Sequence, residues 1–161
     1  MPIETLDQLE AALEKLVSDF PRIVQTQTEV AANDSIALVD RRLVETGLDE
    51  NGAPFLDYTS EYKAKKQKIG RYSGKVDFQL TGQMLASTGT GLKNIGITSS
   101  SVNGSVATVV SEGRDQETRG KIEGNNNKRP GFLSPSKEEV GRVERIREKR
   151  IEQMIVEDYL S

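Results

Sequence analysis

One grouping of side chains in this sequence could do metal chemistry. Asp49 or Asp57, followed by Glu61-Tyr62-Lys63, resembles the acid then Glu-x-Lys order with which a nuclease holds a divalent ion and activates water. That chemistry needs Glu and Lys side by side on a strand. Here they open a segment that reads as a helix, where positions two apart point in different directions. Glu138 and Glu139 are adjacent on another helical segment and do not face each other; they suit the positive end of a helix dipole. The turn-rich Asp49-Glu50-Asn51-Gly52-Ala53-Pro54 fails as a calcium loop, because Pro54 stands where glycine is required. Gly89-Thr90-Gly91 lacks both the third glycine of a dinucleotide fingerprint and the Gly-Lys-Ser/Thr ending of a phosphate loop. With no Cys and no His among 161 residues, thiol nucleophiles, His-based triads and the common zinc, haem and iron–sulfur ligand sets are absent. The expectation is a protein that is not an enzyme, with no catalytic, metal-binding or cofactor-binding residues and no cofactor.

Charge is distributed unevenly. Residues 1–62 carry 13 acids and 4 bases, and residues 63–75 then carry six bases and no acid: Lys63, Lys65, Lys66, Lys68, Arg71 and Lys75. Such a run suits phosphate contacts, with Tyr62 and Tyr72 available to stack on bases. It equally suits a solvated helix, or an attraction between copies whose acidic and basic surfaces meet head to tail. The net charge of −3 and the missing recognition fold weigh against a dedicated nucleic-acid protein.

The length fits a single domain over residues 1–161. Hydrophobic residues make up only 35%, so the core is thin. No apolar run approaches the roughly 20 residues of a membrane span, and Met1-Pro2-Ile3-Glu4-Thr5 has no basic export region, so the expectation is a soluble chain with no membrane contact.

The elements that must position these residues follow from periodicity and caps. Thr5 with Gln8 forms a capping box, and Leu6, Leu9, Leu13, Leu16 and Val17 recur at helical spacing, predicting an N-terminal helix within residues 1–20. Pro21 is expected to end it at about Asp19 and to open a second helix reaching about Glu45. That second helix has two apolar faces. Ile36, Val39 and Leu43 form the one available to a neighbouring subunit, though the chain's own fold could also cover it. Gly47 stops the helix and Asn51-Gly52 makes a loop or small hairpin before Phe55. A basic helix starts at Thr59-Ser60 and loosens at Gly70 and Gly74.

Val76–Leu80 alternates as a strand, and strands near 94–100 and 105–111 flank Asn103-Gly104 as a hairpin, completing the helix-plus-sheet core of residues 21–111. Residues 112–135 read as a short charged helix stopped by Gly124-Asn125-Asn126-Asn127, then an extended arm that Phe132 and Leu133 anchor either on the chain's own core or on the next subunit. A second capping box, Ser136 with Glu139, starts a C-terminal helix over residues 136–161. The expected fold is therefore α+β. Long helices pack on one face of a small, mainly antiparallel sheet, with an extended arm and a C-terminal helix.

The order of these segments resembles the tail-completion, or virion-morphogenesis, proteins of tailed bacteriophages. The resemblance covers about residues 20–160. It rests on Thr46–Phe55, on Tyr58-Thr59-Ser60-Glu61-Tyr62 with the lysines after it, on Val76-Asp77-Phe78-Gln79-Leu80-Thr81-Gly82-Gln83-Met84-Leu85, and on Phe132-Leu133-Ser134-Pro135-Ser136 before the last helix. It departs from the family pattern where Thr59 precedes Ser60 and where Gly131 precedes Phe132. The resemblance implies a structural virion protein of the neck, made in the bacterial host cytoplasm. It would form a homo-oligomeric ring, expected to be a hexamer, that completes the tail and joins it to the head. Its expected partners are further copies of itself, head-side connector or adaptor proteins, and tail-side tube or terminator proteins. On that reading Ile36, Val39, Leu43, Phe55, Tyr58, Tyr62, Phe132 and Leu133 form the subunit or partner interface. The basic segment from Lys63 to Lys75 then faces DNA in the channel or a partner. The alternatives are a terminator capping the tail tube and a nucleic-acid-binding module using residues 63–75.

Overall fold

The computed structural model describes residues 5–78, 94–103 and 106–160. The expected positions Gln79 to Leu85, Gly89-Thr90-Gly91 and the hairpin tip at Gly104 lie outside these residues. The chain is α+β: among the described residues it has four α-helices and one two-stranded antiparallel sheet.

Helix α1, Leu6–Glu45, is the spine. Thr5 caps it in a reciprocal box with Gln8, as its sequence predicts. The break expected at Pro21 does not occur, and one helix of 40 residues runs through it. Proline removes the hydrogen bond from its own nitrogen to the carbonyl of Val17 and its ring crowds that carbonyl, a cost of a few kcal/mol that packing along the helix offsets. Val17 is 75% exposed, so water is at hand for that carbonyl. Ile23, Val24, Gln27, Ala31, Val39 and Leu43 form the buried side of the helix.

Gly47, at φ +67°, takes the chain out of α1 in a conformation that favours glycine, and a Cβ there would meet the Val76 carbonyl at 3.0 Å. A tight loop follows, in which the Asp49 carboxylate accepts from the backbone of Asn51 and Ala53 at 2.9 and 2.8 Å. A single bridge joins Leu48 to Pro54, giving the small hairpin that Asn51-Gly52 predicts.

Helix α2, Ser60–Lys68, is capped by Thr59. The strand expected at 76–80 is absent over its described part: Val76, Asp77 and Phe78 belong to no ladder, and Phe78 has φ 55°. All three are buried, Val76 and Phe78 in the apolar core and Asp77 against Lys66, so the alternation marks two kinds of buried partner and not sheet pairing.

Strands β1, Ile95–Asn103, and β2, Val106–Gly113, pair from Ile95–Gly113 to Asn103–Val106, with a bulge between Ile97 and Ser99. Helix α3, Gln116–Lys128, runs straight through Gly124-Asn125-Asn126-Asn127, which were expected to stop it. The Asn125 side chain donates to the Lys121 carbonyl at 2.8 Å, so this asparagine bonds along the helix and does not break it.

The extended arm is also corrected. Residues 129–133 form turns, with Gly131 at φ +73°, that fold Phe132 inward to 1% exposure. Helix α4, Lys137–Ile155, begins at the predicted Ser136–Glu139 box and runs on into a π-helical turn, Val156–Leu160.

The sheet packs on α1, while α4 lies chiefly along α1, where it was expected on the sheet face. Ion pairs fix that packing at both ends: Arg42 with Glu139 at 3.0 Å and Arg150 with Asp34 at 2.8 Å. The core itself is small: Val39, Leu43, Val76, Phe78, Ile95 and Phe132.

Candidate interaction surfaces

The apolar residues expected at a subunit interface are mostly consumed by this core. Val39, Leu43 and Phe132 are 3%, 0% and 1% exposed, so these three are core residues and not an open interface. Ile36, Phe55, Tyr58 and Leu133 are half-buried and pack against the same cluster. Phe132 stacks on Phe78 at 4.7 Å, and Phe55 meets Phe78 edge-on at 5.1 Å. With so few large side chains in the sequence, the aromatics are what fills the space between α1 and the irregular segments. Tyr62 is half-buried with its ring 4.9 Å from that of Tyr58.

The basic run divides in the same way. Lys66 is fully buried and pairs with Asp77. Lys63 pairs with Asp57, each holding the other's charge: the bond lowers the Asp57 carboxyl and raises the Lys63 amine relative to their ordinary values. Lys75 donates to the backbone carbonyl of Glu45. Lys65, Lys68 and Arg71 stay exposed, so the expected six-residue cationic strip is three exposed bases on one short segment. Glu61 and Lys63 sit two positions apart on α2, and among the described residues no group of three or more acids is placed to hold a metal ion.

Two surfaces emerge from the folded chain that the sequence shows only as separate stretches. The first is a cleft of about 640 Å³ between α2, α3 and the Leu56–Thr59 segment, walled by Tyr58, Tyr62 and Phe78. Arg129 spans it, with its guanidinium 5.5 Å from the Tyr58 ring centre and 5.6 Å from that of Phe78. The same group donates to the Leu56 carbonyl at 2.9 and 3.2 Å, which fixes its plane. Lys121 and Lys128 complete the rim. The Tyr58 hydroxyl accepts from the backbone of Phe78 at 2.9 Å and faces the Asp77 carboxylate, and burial drives its pKa well above the tyrosine range. Tyr58 and Tyr62 were expected at an interface; the part of α3 and Arg129 in the cleft has no sequence signal, because only folding brings them to the tyrosines.

The second surface is the start of α1. Leu6, Leu13 and Val17 are 82%, 45% and 75% exposed and, with Leu9, line one helix face flanked by Glu10 and Glu14. The C-terminal turn packs on α1 at the end of this stretch, where Lys15 lies over the Tyr159 ring and the Tyr159 hydroxyl donates to Asp19 at 2.8 Å. Comparison with protein-family models, curated proteins and solved structures finds no match to this chain.

Proposed function

We propose that this protein is a structural virion component of a bacteriophage neck, assembling with identical copies into a ring that completes the tail and joins it to the head. The observation that carries the reading is the exposed leucine face of α1. Apolar side chains at 6, 9, 13 and 17 line one helix face, bordered by acids, outside the chain's own core. A contiguous apolar stripe rimmed by polar residues is a protein-contact surface, because single exposed leucines are ordinary whereas a row of them is not. The order of sequence segments shared with the tail-completion family supplies the setting.

The test is Leu6→Asp with Leu13→Asp. Both positions are exposed, so the variant stays folded and soluble. It is expected to leave full heads and free tails unjoined in a lysate. Normal infectious particles containing the variant would overturn the reading.

A second reading, a nucleic-acid contact, is favoured by the exposed Lys65, Lys68 and Arg71. Three phosphate contacts would give a slope of log affinity against log salt of about −2.7 on duplex DNA. A flat salt response would dismiss it. The terminator of the tail tube is the sibling role, separated from the neck by which structure immunolabelling decorates.

A further inference from the structure

The two surfaces are complementary to each other. The α1 face carries Leu6, Leu9 and Leu13 between Glu10 and Glu14. The cleft carries aromatic walls, Tyr58 and Tyr62, beside Lys128 and Arg129; its other charged residues are taken up in pairs, Lys121 with Glu117 and Asp57 with Lys63. Leu56, 77% exposed, lies at its edge. The geometry points to a head-to-tail contact between two copies of this chain, in which the acidic, leucine-faced start of α1 from one copy seats in the basic aromatic cleft of the next.

Sign and chemistry select this occupant. The leucines match the tyrosine walls and Leu56, and the glutamates on the helix meet Lys128 and Arg129 at the rim. Helix-in-groove docking of this kind is read through anchors at i, i+3 and i+7, which is the spacing of Leu6, Leu9 and Leu13. An isologous pairing of two such helices would instead set Glu10 and Glu14 against their own copies, and like charges resist that. Because knob and socket are different surfaces, the contact repeats from copy to copy and closes only if the rotation permits, as a ring requires. This inference rests on the ring reading and names the contact that would build it.

Complementation tests it. One variant loses the knob, Leu6→Asp with Leu13→Asp; another loses the socket, Leu56→Asp with Lys128→Glu. All four positions are exposed, and unchanged circular dichroism and melting temperature establish that each variant is folded. By analytical ultracentrifugation at high micromolar concentration, the unaltered chain is expected to form species larger than one chain. Each variant alone is expected to sediment as a single chain, and the equimolar mixture to form a two-chain species and nothing larger, since one intact knob meets one intact socket.

An unaltered chain that stays single, a variant that still associates alone, or a mixture that stays separate would each overturn the contact. The ring reading fails on different results. A two-chain species from a protein that never enters the virion would sink the neck role and leave the contact. Normal virion joining by the socket variant would sink the contact and leave the neck role.

Discussion

The ammonium group of Lys66 meets the carboxylate of Asp77 in a site where the lysine has no solvent exposure and the aspartate only 6%. The carboxylate also accepts from the Ser73 hydroxyl at 2.7 Å and the Tyr58 hydroxyl at 3.2 Å, and the ammonium lies 4.8 Å from the centre of the Tyr58 ring. The pair fastens α2 to the segment that carries Phe78 into the core. Its charges are expensive to bury, and each offsets the other, with these hydroxyls and the Tyr58 ring adding to the pair.

Removing one partner therefore strands the other. Lys66→Ala is expected to cost about 3–5 kcal/mol of folding stability, while Lys66→Met combined with Asp77→Leu costs far less or even stabilises. Urea denaturation of the three proteins measures this. Equal destabilisation by the single and double replacements would mean that packing, and not charge pairing, holds the site.

Phe132 is expected to behave as a core residue. Phe132→Ala empties the space beneath Phe78 and should lower stability by about 3–5 kcal/mol, whereas Phe132→Leu should cost under about 1.5 kcal/mol. Thermal melts of the isolated chain distinguish this from an interface role, in which the monomer would melt normally.

Pro21 leaves one helical hydrogen bond of α1 unmade. Pro21→Ala restores the donor opposite the Val17 carbonyl and is expected to raise stability by about 1–3 kcal/mol, the upper end being the full propensity difference. A rise in melting temperature with unchanged helical ellipticity checks it; a fall would show that the ring packs usefully on its neighbours.

Asp40 supplies the pH dependence. Burial lifts its carboxyl from the usual 3.8 to about 6, and its Oδ1 has no hydrogen-bond partner among the described residues. The folded pKa lies above the unfolded one, so the folded state holds a proton that the unfolded chain has lost between those values. Stability from this group consequently falls as pH rises from about 3.8 to about 6 and stays lower above that. Asp40→Asn is expected to add about 1–2 kcal/mol at neutral pH, allowing for partial exposure, and to flatten the slope across that window. Denaturation midpoints taken at several pH values read it directly.

Local chemistry made much of this protein legible in its sequence. Thr5 with Gln8 and Ser136 with Glu139 form reciprocal capping boxes, Asn51-Gly52 makes the turn, and the hairpin around position 103 pairs, because each depends on groups within a few residues of one another. The composition likewise left only carboxylates, amines and hydroxyls for chemistry. Tertiary structure alone decided that α1 continues through Pro21, that Lys66 is buried while Lys65 and Lys68 are exposed, and that Phe132 turns inward while Leu6 and Leu13 face solvent. A helix-breaking tendency of a few kcal/mol yields to packing along a 40-residue spine. Which lysine of a run is buried depends on where a carboxylate eleven residues away arrives in space. No spacing rule encodes that position; only the folded chain creates the partner that makes burial of the charge affordable.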